Sequence, residues 1–161
     1  MSSVDKFISH FFLDFGRSNM FKTSWSGNGP LDPAHLEMAC KTINIPGITF
    51  TEGKYDGKKY AVGYDFDSFE ATFYMDAEGK TKDEFDTWSE KVYQKKKGVF
   101  GFKNDYVAEV SVDLYTRDFS VYHTVKIINC YPTNISPIEV SWDNEGTVME
   151  LSVSFNFDYY E

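Results

Sequence analysis

Gly79-Lys80-Thr81 looks like the close of a phosphate-binding loop, in which backbone amides wrap phosphates while the lysine and hydroxyl reach the nucleotide and its metal. That loop needs a glycine five residues before Gly79, and Tyr74 stands there, so Thr81 reads instead as a helix cap. Asp65 and Asp67 are two apart and would share one side of a strand, as a divalent cation requires, but no motif brings a third acid to them. His10, His35 and His123 fall in three separate elements with no zinc-binding spacing. Cys40 or Cys130 with His123 could in principle form a nucleophile and base, yet no nucleophile elbow surrounds either cysteine. Asn134-Ile135-Ser136 fits a glycosylation pattern, but between Pro132 and Pro137 it reads as a turn. Lys95, Lys96 and Lys97 read as cations at a helix C-terminus. None of these residues assembles into catalytic, metal-binding or cofactor-binding machinery, and the chain reads as a non-enzyme.

The elements that would carry them are mostly strands. Phe7, Ile8, Phe11 and Phe15 at helical spacing predict a short amphipathic helix from Ser3 to Phe15, with Ser2 or Ser3 as cap and Gly16 as stop. Met20 to Trp25 and Leu36 to Ile43 read as strands flanking a Gly- and Pro-rich loop. Asp56-Gly57 is a strong hairpin signal between ITFTEGK and KYAVGY, and the polarity of both faces suggests an arm over about 47–64. After the strand around FEATFYM, Thr81 and Glu84 form a capping box, and Phe85, Trp88 and Val92 line one face of a helix over about 81–97, closed by Gly98. VAEVSVDL alternates, with Ala108, Val110, Val112 and Leu114 in one phase. VYHTVKIINCY is a further strand. PIEVSW and MELSVSFNFDY complete the set around a turn at Asp143-Asn144-Glu145-Gly146. The fold class is therefore mainly β (α+β), a single-domain β-sandwich or barrel with a short N-terminal helix and one central helix.

Bulk properties narrow the function classes. At 161 residues one domain can bury roughly 70% of the surface its unfolded chain exposes, so no disulfide framework is required. The N-terminus lacks the basic opening and cleavage site of an export signal and is too polar to span a bilayer. A net charge of −9 opposes binding by phosphate grip, while leaving open a protein past which nucleic acid moves without sticking. Fifteen Phe, eleven Tyr and three Trp suit half-buried strands and large interfaces. The last strand, apolar on one face and polar on the other, is expected to find part of its pairing in another copy of the chain.

The stretch YPTNISPIEVSWDNEGTVMELSVSFNFDYYE resembles the end of the tail tube protein of contractile-tailed bacteriophages. It carries an aromatic-Pro-Thr-Asn turn at Tyr131, Pro132, Thr133 and Asn134, a Trp-Asp step at Trp142 and Asp143, and an ending at Asp158, Tyr159, Tyr160 and Glu161. Upstream, Arg17 and Asn19 before Met20-Phe21, Cys40-Lys41 followed by Pro46-Gly47, the polar hairpin to Val62, and the strand-then-helix unit around Phe69 and Trp88 extend the likeness over nearly the whole chain. The loops SGNGPLDPAH and KKKGVFGFKNDY depart from it.

The resemblance implies a fold similar to the tube component of type VI secretion systems. It implies homohexameric rings whose sheets join across subunits into one barrel and stack into a tube inside a contractile sheath, forming the channel for DNA ejection. Implied partners are the sheath, baseplate and tail-terminator proteins, with double-stranded DNA passing through without specific binding. The implied location is the virion, after assembly in the host cytoplasm, and no cofactor is implied. Glu109, Asp113, Glu139 and Glu150 are the candidate channel-lining acids. Lys54, Tyr55, Asp56, Gly57, Lys58 and Lys59 form the candidate inter-subunit arm. A carbohydrate-binding sandwich with Trp25, Trp142 or several Tyr exposed is the alternative from another class, and a tube-initiating baseplate protein is the alternative within the family.

Overall fold

The computed structural model describes residues 2–5, 19–143 and 146–161. Residues 3–5 are helical, with Ser2 Oγ accepting from the Asp5 amide at 3.1 Å. The rest of the expected N-terminal helix, and Arg17, lie outside the described residues. The strands are β1 (Phe21–Gly27), β2 (Cys40–Ile43), β3 (Ile48–Tyr55), β4 (Lys58–Phe66), β5 (Phe69–Tyr74), β6 (Tyr93–Gln94), β7 (Val99–Phe100), β8 (Ala108–Tyr115), β9 (Val121–Ile135), β10 (Glu150–Asn156) and β11 (Tyr159–Tyr160). Three helices interrupt them: α1 (Pro33–Ala39), α2 (Lys80–Val92) and α3 (Lys103–Tyr106).

The main sheet runs β1-β8-β9-β10-β5-β2, antiparallel throughout, with β11 added beside β9. Trp25 on β1 meets Phe73 on β5 at a ring separation of 5.7 Å. Strands that far apart in the order touch only because the sheet curls on itself, as a barrel-like wall does. Inside the curl, α2 inserts Phe85 and Trp88, both fully buried, against Phe73 and Phe155. Burying one such aromatic side chain contributes about 1.5–3 kcal/mol, so this cluster is the energetic centre of the fold.

The long strand β9 serves both halves of the wall. Its first part pairs with β8, and residues 131–135 pair with β10. Asn129 sits between them at φ 54°, and the ladder steps from Ala108↔Cys130 to Val110↔Ile127 there. That inserted residue is a β-bulge, which bends the strand and moves the buried side chains from Val125 and Ile127 to Cys130.

Several sequence expectations change. Leu36–Ala39 is helical rather than part of a strand, because Asp32 caps α1 by accepting from the His35 amide at 3.3 Å and Pro33 supplies a helix-ready φ. Thr81 is not the cap of α2. Gly79, at φ 72°, takes that place, and Thr81 turns inward to donate to the Tyr74 carbonyl at 2.9 Å. Glu84, the other half of the expected box, accepts from the Asp32 amide at 2.7 Å and so joins α1 to α2. Helix α2 ends at Val92, and Lys95–Lys97 lie in the β6–β7 turn, where Gly98 adopts φ 68°. The alternation Ile138, Val140, Trp142 is not a strand, since no neighbour among the described residues offers residues 137–142 a ladder. Finally, β10 lies between β9 and β5, so both its edges are paired within the chain rather than partly by another copy. The ends of the strand order are β1 and β2.

Candidate functional site

Several of the residues with chemical potential are engaged in structural bonds. Lys80 donates to Asp32 at 2.6 Å, a bond that holds the Asp32 carboxyl below its ordinary range. The His35 ring lies 2.9 Å from the Thr81 hydroxyl, so this cluster staples two helices. Asp65 accepts from the Phe66 amide at 2.9 Å, and the Asp67 amide donates to the Gly47 carbonyl. Among the described residues no group of three or more His, Cys, Asp or Glu could hold a metal ion. Burial pushes the Cys40 thiol up to about 11 and that of the fully buried Cys130 further still, which disfavours a thiolate nucleophile. Trp25 is only 5% exposed inside the core, so it offers no sugar-stacking platform. His10 lies outside the described residues.

The four candidate acids divide between two surfaces. Glu109 and Asp113 project from the face of β8 opposite the core, beside Lys22 across β1 and Lys126 across β9. Asp113 accepts from the Thr124 hydroxyl at 2.8 Å, and Lys22 pairs with Glu37 of α1 at 3.0 Å. This face thus carries both signs. Glu139 and Glu150 line a separate recess of about 500 Å³, together with Pro137, Val140 and Met149. Glu150 is ion-paired with Lys41, whose ammonium lies 5.7 Å from the Tyr74 ring centre.

The hairpin β3–β4 forms a two-stranded sheet of its own. Asp56 and Gly57 adopt φ 49° and 72°, the pair of left-handed values that a two-residue turn matched to strand twist demands. Its residues are almost all exposed, and its apolar side chains recur at every second position: Ile48 and Phe50 on one strand, Tyr64 and Phe66 on the other. Among the described residues, its ring contacts with the rest of the chain are at the base. Phe66 packs against Phe157 at 5.5 Å and Tyr160 at 5.3 Å. These aromatics were the site signal missed in the sequence; their period-two spacing about Asp56-Gly57 was the clue to them.

The family-like C-terminal residues fall into two groups. Pro132 pairs opposite Phe155 in the ladder, Thr133 Oγ1 donates to the Ser154 carbonyl at 3.2 Å, and Asn134 pairs opposite Ser154. Asp158 accepts from Lys103 at 2.5 Å and from the Asn129 amide group at 2.8 Å, tying β11 to the bulge of β9. Tyr159 and Tyr160 continue the ladder, and Glu161 exchanges two backbone hydrogen bonds with Lys126. This group closes the fold. Trp142 and Asp143 do not join it: they stand in the 136–149 segment, with Trp142 99% exposed.

Comparison with known proteins gives a consistent result. A family model described as phage tail tube protein matches residues 6–161. The tail tube protein gp19 of Enterobacteria phage T4 is 24% identical over 154 residues, with 92% of each chain covered. Its counterpart in Enterobacteria phage T6 is 25% identical over 162 residues, again with 92% of each chain covered. Among solved structures, a chain of the sheath/tube terminator of an extracellular contractile injection system superposes with TM-score 0.70 at 13% identity, covering 93% of this chain and 97% of that one. A chain of the anti-feeding prophage baseplate gives 0.67, also at 13% identity, over 93% and 96%.

Proposed function

Because the chain belongs to the phage tail tube protein family, and is thus a structural tail tube component rather than an enzyme, we propose that it forms six-fold rings stacked into the inner tube of a contractile tail. The observation that carries this reading is a curled sheet in which, among the described residues, the strand order ends at β1 and β2. Strand edges left unpaired invite association, and closing them around a ring removes that liability. In the proposed ring, sheets of neighbouring copies join through these ends into one continuous wall.

The tube would sit within a contractile sheath, begin at a baseplate and stop at a terminator protein. This is supported by similarity to chains from structures described as the sheath-tube complex and the sheath/tube terminator of an extracellular contractile injection system and as the anti-feeding prophage baseplate. The hollow interior would pass double-stranded DNA into the host. Duplex DNA carries about one negative charge per 1.7 Å of axis, so acids such as Glu109 and Asp113 facing the bore would repel it and keep friction low. The β3–β4 hairpin would reach an adjacent copy. The protein would be assembled in the host cytoplasm and reside in the virion.

Negative-stain microscopy of the purified chain tests the reading. Rings of six-fold symmetry or tubes are expected; dispersed monomers at every concentration and salt would overturn it. Removing residues 54–59 should leave a folded chain that builds no long tubes.

A further inference from the structure

We propose that the recess lined by residues 137–141 and 147–150 receives the tip of the β3–β4 hairpin from another copy of this chain. This deepens the tube reading above and rests on it. The two surfaces carry opposite charge. In a chain of net charge −9, residues 54–59 carry three lysines and one acid, whereas residues 137–143 and 146–150 carry three acids and no lysine or arginine. Among the described residues, Lys54 and Lys58 at the tip have no acidic partner, and Glu139 and Asp143 have no basic one. Unpaired charges of opposite sign on two surfaces steer encounter and fix register, even where each pair adds little affinity.

Both surfaces also expose apolar side chains. Trp142 is almost wholly exposed, Val140 beside it is 76% exposed, and Tyr55 at the tip is 76% exposed. Tryptophan and tyrosine are the side chains that most often anchor interfaces once buried. Ile138 already leans on the core, so the segment stays fixed to the body of the domain while presenting Val140 and Trp142 outward.

The two surfaces stand at opposite ends of β5. The hairpin leaves the sheet at the Phe69 end of β5, through Asn44 bonded to Glu70 and Phe66 packed on Phe157. The recess sits at the opposite end, where Met75 bonds to Met149 and Glu150 pairs opposite Tyr74. Six residues of strand separate the two ends by about 20 Å. A donor at one end and its complement at the other produce a head-to-tail contact, which propagates as a ring or a stack instead of closing a two-fold dimer.

The experiment mixes two differently sized full-length variants, Tyr55→Cys and Val140→Cys, under mild oxidation, with Lys96→Cys replacing Val140→Cys as the control. The expected result is a mixed disulfide formed several-fold more than in the control. Tube formation should be lost in Lys54→Glu/Lys58→Glu and regained on adding Glu139→Lys/Asp143→Lys. Cross-linking no greater than the control, or stronger to position 96, overturns the recess as receptor; if deletion of residues 54–59 still abolishes tubes, the arm reading stands by itself. Full-length tubes from that deletion overturn the arm reading and this proposal together. A chain that stays monomeric and gives no excess cross-link overturns the proposal as well.

Discussion

The Phe66 ring lies 5.3 Å from that of Tyr160, at 68° between planes, so the base of a hairpin whose tip is exposed among the described residues is fastened to β11. That contact, with Phe157 as its third member, sets the angle at which the hairpin leaves the body.

Replacing Tyr160→Ala should therefore loosen the hairpin before it unfolds the domain. An aromatic pair contributes roughly 0.5–1.5 kcal/mol beyond area burial, so a total loss of about 2 kcal/mol is expected. Hydrogen exchange should quicken over residues 48–66 while β8 and β10 keep their protection. Unchanged exchange in the hairpin would mean that its own ladder holds it.

Asp158 should make stability depend on pH. Its carboxyl is held below the ordinary value chiefly by Lys103, with Asn129 assisting. A depressed folded pKa gives stability that is fully present above the unfolded value, about 3.9, and lost as pH falls through the folded one. The pair is more than a third exposed, so its contribution is limited to about 1 kcal/mol. Denaturant unfolding of Asp158→Asn should show that deficit at neutral pH, and the gap from the parent should shrink below about pH 4. A gap constant across that range would exclude the pair as its source.

Gly29 should not tolerate alanine. A Cβ there would lie 2.5 Å from the Trp88 ring, which is fully buried and donates to the Tyr106 carbonyl at 2.6 Å. The ring has no room to retreat, and overpacking of this kind costs about 1–3 kcal/mol. Thermal unfolding of Gly29→Ala should show the loss; an unchanged midpoint would mean that the loop before α1 gives way at no cost.

Glu109→Lys/Asp113→Lys should leave tube assembly intact and slow or block genome ejection. Asp113 loses its Thr124 contact in this variant, and a new lysine faces Lys22, a surface change expected to cost under about 1 kcal/mol. Normal infectivity of phage carrying the variant would exclude this face from the bore.

Where a residue's surroundings came from its immediate neighbours in the chain, the sequence was a good guide. The phase of Ala108, Val110 and Val112, the helical face of Phe85 and Trp88, and the Asp56-Gly57 turn are all legible, because a strand, a helix or a two-residue turn repeats its side chains at a fixed interval. The same rule misled at Ile138, Val140 and Trp142, which alternate as a strand would but find no partner strand among the described residues. It also misled at Leu36–Ala39, where a local Asp-Pro cap outweighed the extended pattern.

By itself, then, the sequence determined a mainly-β domain, its buried faces, the hairpin and the family resemblance. Tertiary structure alone decided that β10 is an interior strand, that Asn129 bends β9 and moves its buried phase by one residue, and that Glu109 and Asp113 lie on a different surface from Glu139 and Glu150. The physical reason is that periodicity records which face of a segment must be covered. What covers it depends on pairing between residues far apart in the chain, and that is fixed only when the sheet closes.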